Sequence, residues 1–286
     1  MITVDIEKLE VFLLEDLIWL TTNPVGVPNY DFSFERFFAC RRPWQRPELI
    51  ETISRFGVVE NYEEIYDSLL KEGIQLIHTP KQYLMASQLT GWYPLLKDIT
   101  PYSVWFSVPP TVKEVENLLE WPIFIKGNRQ TSKHREALSI VNSSAEYQKV
   151  IEFYNNDPIL HWQDIVLREF IPLRKVVAPK TEKISPSFEF RTFWWKGHCV
   201  GFGAYWAAFV SYSWTKEEER QALALAQKAA NRLDLPFVVI DLAQTVEGEW
   251  IIIECNDAQE SGYTGISPIS LWQKIVDIER SKLINK

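Results

Sequence analysis

Cysteine is scarce in this chain, and its spacing excludes two classes of small, cross-linked protein. The three cysteines, Cys40, Cys199 and Cys255, lie far apart and form no Cys-x-x-Cys pair. An odd number at such spacing fits neither a disulfide scaffold nor a structural zinc site. We therefore expect the protein to work in a reducing compartment, the cytoplasm.

Long apolar runs and an excess of positive charge are also missing. The start of the chain is acidic and lacks the basic segment of a secretory signal. The apolar stretch that follows, VFLLEDLIWL, carries two acids and is about half the ~20 residues of a membrane span. A net charge of −8 argues against nucleic acid as a partner, because phosphate neutralisation needs a basic surface. We expect a soluble protein without a membrane partner, and its oligomeric state stays open.

The residue sets of nucleophilic hydrolases are absent as well. The four histidines are scattered along the chain and no Gly-x-Ser-x-Gly occurs, so no Ser-His-Asp or Cys-His arrangement is indicated. What the chain does have is apolar material: 46% of its 286 residues are hydrophobic, enough for a sizeable core. That length suits two or three subdomains around a shared cleft.

The order of the predicted elements indicates the fold class. Helical patterns at Pro47–Phe56 and Tyr62–Glu72 alternate with a short strand, which suggests an α/β layer at the N-terminus. The final third reads as a hairpin turning at Lys196–Gly197, a helix over Lys216–Leu233, and two strands joined at Gly248. This order predicts an antiparallel sheet backed by a helix, hence an α+β protein rather than a doubly wound one.

Three oxygen-bearing side chains follow apolar runs in FVVIDLAQTVEGEWIIIECND. Asp241 ends one run, and Glu254 and Asn256 lie two residues apart at the end of the next, so they share one face of a strand. Two antiparallel strands would bring all three together. Magnesium prefers such carboxylate and amide oxygens. The alternative is a solvated strand end, but carboxylates seldom follow apolar runs on adjacent strands without a charged partner.

A lysine and a basic loop follow the strand WPIFI. Lys126 closes this strand and can point into a cleft to neutralise a phosphate, or extend from the strand end into water. The segment GNRQTSKHR at 127–135 adds Arg129, Lys133 and further basic residues, as a phosphate-binding lid does. It lacks the pattern of a P-loop. A plain surface loop is the other interpretation.

An arginine also interrupts the apolar hairpin strand FEFRTFWW. Arg191 in such a strand is costly unless it is paired, and Glu189 lies two residues away on the same face. Either the two form a structural ion pair, or Arg191 contacts an anionic ligand such as a phosphate.

Taken in order, these elements resemble the ATP-grasp superfamily over about residues 75–265. The features that carry the resemblance are a lysine-ended strand, a polar loop, a strand that leads into a hinge, an arginine-bearing strand, and a final Asp strand and Glu-x-Asn strand. The chain is most similar to the small stand-alone members from bacteria and phages, a clade known for an arginine and two lysines. It departs from the family in the helix before the core, where ASQLTGWYPLL offers no lysine for ATP, and its loop keeps only Ser132–Lys133 of the usual glycine-rich pattern.

The resemblance implies a fold, a division of the chain and a role for each matching residue. Two α+β subdomains, at 101–175 and 176–286, would clamp ATP between antiparallel sheets, after an N-terminal domain at 1–100. Lys126 would hold the α- and β-phosphates, and Glu169, Phe170 and Ile171 would form the adenine hinge. Arg191 and Lys133 would act on the transferring phosphoryl group. The metal ligands would be Asp241, Glu254 and Asn256.

The implied activity is an ATP- and magnesium-dependent ligase. It would activate a small-molecule or peptide carboxylate as an acyl-phosphate for attack by an amine. Two alternatives stay open. A kinase or nucleotidyl-transfer enzyme on the same fold would use the loop at 129–135 and Arg41–Arg42 on its acceptor. A degenerate ATP-binding interaction module would bind the nucleotide without turnover.

Overall fold

The N-terminal part of the described chain is a small α/β layer. The computed structural model describes residues 50–53, 55, 59, 61–129, 139–157, 160–177 and 185–284. Strands β1 (Ile50–Thr52) and β2 (Ile74–Leu76) pair in parallel and are connected through helix α1 (Tyr62–Lys71). The helix predicted over Pro47–Phe56 is therefore wrong, because pairing with buried β2 outweighs the local helical pattern. Helix α1 is confirmed.

Two helices lead from this layer into the rest of the molecule. Helix α2 (Pro80–Ser87) begins at a capping box in which Thr79 and Gln82 satisfy each other's backbone N–H groups. Helix α3 (Leu89–Leu96) follows almost at once and buries Trp92.

The first sheet has strand order β3-β6-β4-β5 and is antiparallel throughout. Its strands are β3 (Ser103–Phe106), β4 (Ile123–Gly127), β5 (Ile140–Val141) and β6 (Ile165–Glu169). Helices α4 (Val112–Glu116) and α5 (Ser144–Asn156) cover one face, where Ile123, Ile125 and Leu167 are fully buried. Because strand side chains alternate, Phe124, Lys126 and Arg168 lie on the opposite face.

The second sheet has strand order β10-β9-β7-β8, again antiparallel. Its strands are β7 (Glu189–Trp195), β8 (His198–Ala204), β9 (Phe237–Gln244) and β10 (Trp250–Asp257). The β7–β8 hairpin turns at Lys196 and Gly197, both with positive φ as a tight two-residue turn requires. This confirms the predicted hairpin.

Two helices enclose the second sheet. Helix α6 (Lys216–Leu233) matches its prediction and packs an alanine face (Ala222, Ala226, Ala229 and Ala230) on the sheet. Cys255 belongs to that buried side, as expected for a core cysteine. Helix α7 (Pro268–Ile284), which the sequence patterns did not predict, covers the other face with Leu271, Trp272 and Ile275.

The architecture is thus α+β with two antiparallel four-stranded sheets, as the sequence predicted. Between the two sheets, the chain crosses at Leu173 and Lys175, which form single bridges to Thr245 and Ser187. The division into three domains stays a prediction. Within the described ranges, no helix is both long and apolar enough to cross a membrane.

Candidate nucleotide and metal site

A β-bulge in β10 brings charged side chains onto one face of the second sheet. Ile252 pairs with Leu242, but the next pair is Glu254 with Asp241, so Ile253 is the extra residue. Without the bulge, Ile253 would lie opposite Asp241 and Glu254 would point to the other face. On the other side of β9, Arg191 pairs with Asp241. The register therefore places Arg191, Asp241 and Glu254 in one row across three strands.

Arg191 and Asp241 form a buried bidentate ion pair. The arginine donates from Nε to Asp241 Oδ1 at 2.8 Å and from Nη2 to Oδ2 at 2.7 Å, and Nη1 donates to the carbonyl of Gly262 at 3.0 Å. Burial by itself lowers the pKa of Arg191, but the adjacent Asp241 outweighs it and raises this pKa above its usual value. Arg191 thus has a structural ion pair with Asp241, which was not the suggested partner, and its contact with an anionic ligand stays a prediction.

Glu189, the partner suggested by sequence proximity, has other contacts. Its carboxylate accepts from the Ser187 hydroxyl at 3.2 Å and from Trp206 Nε1 at 3.2 Å. It lies two residues from Arg191, whereas Asp241 lies directly across from the arginine on the neighbouring strand. Cross-strand neighbours are closer than residues two apart on one strand, which explains the choice.

Lys126 connects the two sheets. Its ammonium contacts Oε1 of Glu254, and both side chains are buried. The lysine is the penultimate residue of β4, and the glutamate comes from β10 of the other sheet. Lys126 therefore points toward the second sheet and not into water, and its contact with a phosphate stays a prediction.

The predicted metal ligands lie on one face of the second sheet. Asn256 pairs with Val239, two residues from the pair of Glu254 with Asp241, so all three side chains point the same way. Two carboxylates and one amide form an oxygen set that fits Mg²⁺. Each Asp241 oxygen accepts one N–H from Arg191 and keeps a second lone pair for a cation. Among the described residues, no group of three or more His, Cys, Asp or Glu side chains is arranged to hold a metal ion.

A largely apolar cleft opens beside the hinge segment. It encloses about 630 Å³, part of it open to solvent. Its walls come from both sheets and include Phe124 and Ile140 from the first, Ile251 and Ile253 from the second, and the predicted hinge residues Glu169, Phe170 and Ile171. The Glu169 N–H already donates to the carbonyl of Tyr102 at 2.8 Å, so any hinge donor to a base falls to Phe170 or Ile171.

Arg168 also lines this cleft, and the sequence analysis missed it. Its side chain is 4% exposed; Nε donates to the Ser103 hydroxyl at 2.9 Å and Nη1 to the carbonyl of Ile253 at 2.6 Å. The guanidinium lies over the ring of Trp92. The sequence did contain a signal for Arg168. An arginine inside the apolar strand IVLRE is costly to bury unless it has a partner, which is the argument already made for Arg191.

A second missed residue anchors the loop after β10. Arg55 donates to the backbone carbonyls of Ala258, of Gln259 at 3.2 Å and of Ser261 at 2.7 Å, and lies over the ring of Tyr263. This buried arginine ties the N-terminal layer to the loop that begins directly after the predicted metal ligands. No local pattern marks it, because its partners are backbone groups about 200 residues away.

Glu260 in the same loop is an acid whose titration is displaced. Burial first, and then the charge of Asp257, raise the pKa of Glu260 to about 8. The Tyr83 hydroxyl donates to its Oε2 at 3.2 Å. Asp257 itself lies 3.0 Å from Nδ1 of His78. Residues of α2 and of the segment before it therefore surround this loop.

The basic loop is only partly described. Lys133, together with Ser132, His134 and Arg135, lies outside the described residues, as do Arg41 and Arg42. Arg129 is described and is not a free phosphate-binding side chain. It is buried, donates to the carbonyl of Val59 at 2.6 Å and lies between the rings of Tyr83 and Trp162.

Comparison with known proteins agrees with this architecture. Residues 102–275 match a family model of the ATP-grasp domain, namely family 3 of the clade named for an arginine and two lysines. Among curated proteins, no sequence matches the chain. Solved structures with a similar fold include the D-alanine–D-alanine ligase of Bacillus anthracis, with a TM-score of 0.58 and 13% identity over 96% of this chain and 94% of that one.

Two further structures resemble the chain at the level of the fold. The RimK domain protein ATP-grasp of Sphaerobacter thermophilus has a TM-score of 0.56 and 12% identity over 94% of this chain and 95% of that one. The VanG D-Ala:D-Ser ligase of Enterococcus faecalis has a TM-score of 0.53 and 18% identity, over 77% and 66%. The family match covers more than half of the 286 residues, and its lysine strand, hinge, arginine strand and Glu-x-Asn strand are all in it. The chain belongs to the ATP-grasp superfamily, in family 3 of the arginine-and-two-lysine clade.

Proposed function

We propose that this protein is an ATP- and magnesium-dependent ligase that joins a carboxylate to an amine. The observation that carries the proposal is the contact of Lys126 from the first sheet with Glu254 from the second, close to Phe124 and Ile253 of the cleft wall. A phosphate-binding cation and a metal-binding carboxylate are the two groups that a Mg–nucleotide complex needs, and here they come from the same strands as Phe124 and Ile253 of the cleft wall. The fold is shared with ligases named for joining amino acids.

The balance of buried charge supports a polyanionic ligand. Three cations (Lys126, Arg168 and Arg191) and two acids (Asp241 and Glu254) are buried on the strands of the two sheets, and Arg168 lines the cleft. Binding of Mg²⁺ at the two acids would leave the cations without their counter-charges. A triphosphate supplies them, because each cation gains an anionic oxygen and each metal ion gains a phosphate ligand. Nucleotide and metal should therefore strengthen each other's binding.

The proposed reaction has two steps. The γ-phosphoryl group passes from ATP to an oxygen of the acid, which gives an acyl-phosphate and ADP. The amine nitrogen then attacks the acyl carbon, forms the amide bond, and releases phosphate and a proton. No side-chain nucleophile is needed, in agreement with the absence of a hydrolase triad from the sequence.

Each group of the site has a part in this scheme. Lys126 offsets charge on the phosphates that it contacts, and Lys133 is proposed for the transferring group on the basis of the resemblance alone. Arg191 is likewise proposed for the transferring group on the basis of the resemblance, and it also holds Asp241 in place through their ion pair. Asp241, Glu254 and Asn256 would hold magnesium, which supplies charge neutralisation on the phosphates when bound. Phe170 and Ile171 would contact the adenine.

The proposal is tested by product analysis. Purified protein is given MgATP with pooled amino acids and short peptides, and ADP, AMP and phosphorylated products are quantified. ADP release that requires both a carboxylate and an amine supports ligation. AMP or a phosphorylated acceptor would instead support the transferase alternative, and nucleotide binding without turnover would support a binding module. Glu254→Gln should abolish ADP release, and Lys228→Met, at an exposed ion pair with Asp98, should not.

A further inference from the structure

Arg168 is a buried cation that has no acid partner within hydrogen-bond distance in the described part of the chain. Lys126 and Arg191 each contact a carboxylate, whereas Arg168 donates to a hydroxyl and a carbonyl, both neutral. Its third nitrogen, Nη2, is buried and has no hydrogen-bond partner among the residues that the structure describes. A buried charged donor left unpaired is costly, and native structures keep such groups chiefly where a ligand completes them.

The surroundings of Arg168 place this residue in the wall of the cleft. Arg168 directly precedes Glu169 of the hinge and pairs across the sheet with Phe124, and both lie in the cleft wall. Lys126 is two residues after Phe124 on β4 and lies on the same face of the sheet, about 6–7 Å from Phe124 along the strand. Arg168 is thus placed between the segment proposed for the base and the lysine proposed for the phosphates.

We propose that Arg168 binds the α-phosphate of the nucleotide through Nη2. This rests on the proposed function and assigns to that site a third phosphate-binding cation, contributed by β6. With the base at the hinge and the outer phosphates toward Lys126 and the carboxylates, the α-phosphate is the anion nearest to the hinge. The guanidinium is already oriented by Ser103, Ile253 and Trp92, so binding costs little side-chain entropy.

The protonation state of Arg168 agrees with this role. Burial lowers the pKa of Arg168 to about 10, and the nearby Glu254 offsets only part of that effect. The group stays charged at neutral pH. Once magnesium occupies Glu254, the nucleotide becomes the remaining source of counter-charge for this arginine.

The test compares ligands that differ only at the α-phosphate. Affinities for adenosine and AMP are measured by calorimetry in EDTA, so that no metal contributes. The wild-type protein should bind AMP at least ten times more tightly than adenosine. Arg168→Met should weaken AMP binding about 10- to 100-fold, as expected for a charge-assisted hydrogen bond, and change adenosine binding less than twofold. An unchanged preference for AMP in Arg168→Met would overturn the inference.

Controls separate this inference from a structural role and from the proposed function. Arg174→Met removes another arginine, one that stacks on Phe188 and pairs with Glu218, and should leave the preference for AMP intact. If Arg168→Met does not fold, Arg168→Lys replaces it: a loss of threefold or more for AMP alone supports the contact, and no loss overturns it. A wild-type protein that binds neither these ligands nor MgATP would refute the proposed function, whereas equal binding of AMP and adenosine would refute only the role of Arg168.

Discussion

Replacing Lys126 by methionine should destabilise the protein without ligand, because it leaves Glu254 buried beside an apolar side chain. The ammonium of Lys126 and the carboxylate of Glu254 are 3% and 10% exposed, so water screens their attraction little. Methionine keeps most of the side-chain volume, so the main change is the loss of the charge. The perturbation therefore isolates the ion pair that joins the two sheets.

The size of the effect follows from the burial of both partners. Removing one member of a buried pair costs about 3–5 kcal/mol, since the other charge stays desolvated. For a chain of this length, that corresponds to a fall of roughly 10 °C in the midpoint of thermal unfolding. The assay is calorimetric or fluorescence-detected unfolding in EDTA.

Magnesium should then rescue the variant more than it stabilises the wild type. In the wild type, Lys126 and the metal compete for Glu254, whereas in Lys126→Met the metal replaces the positive charge that was removed. At ten times its dissociation constant, a bound ion stabilises by about 1.4 kcal/mol. We expect a clear rise in midpoint for Lys126→Met on addition of Mg²⁺, and a smaller one for the wild type.

Lys228→Met is the matched control. Lys228 pairs with Asp98 on the surface, where both side chains are about half exposed, so its loss should move the midpoint by about 2 °C or less. Equal midpoints for the two lysine variants would refute the argument that the buried pair stabilises the cleft. A magnesium response no larger in Lys126→Met than in the wild type would refute the assignment of Glu254 to the metal.

Three further predictions concern other parts of the site. Arg191→Lys cannot form the bidentate contact with Asp241 and should lower the free energy of unfolding by about 1–3 kcal/mol in chemical denaturation, whereas no loss would show that the fork is unimportant. Because the folded-state pKa of Glu260 is raised to about 8, stability should fall as pH rises from about 4.5 to 8, at up to ~1.4 kcal/mol per pH unit; Glu260→Gln should flatten this slope, and a parallel pH profile would contradict the assignment. Ile140→Trp should fill the cleft and weaken ATP binding at least tenfold in calorimetry, while Leu118→Trp, at an exposed site away from the cleft wall, should leave it unchanged.

Local sequence patterns were sufficient to predict a helix, strand or turn wherever a residue's neighbours in the sequence are also its neighbours in the fold. The hairpin at Lys196–Gly197, the helix Lys216–Leu233 and the two final strands depend on turn residues, capping and alternation, which are properties of short segments. The resemblance to the ATP-grasp superfamily was carried by such segments too, and the family match confirms it. The predicted helix over Pro47–Phe56 was wrong because its strand pairs with β2, more than twenty residues away.

The arrangement of the site, by contrast, depends on register and on contacts between distant segments. The sequence by itself placed Asp241, Glu254 and Asn256 on two adjacent strands; the prediction that Asp241 ends its strand was wrong, because β9 continues to Gln244. The tertiary structure decided that a bulge at Ile253 turns Glu254 toward Asp241, that Arg191 pairs with Asp241, and that Lys126 reaches across to Glu254. Charges buried in a low-dielectric interior require partners, but only the packed chain selects which partner is close enough.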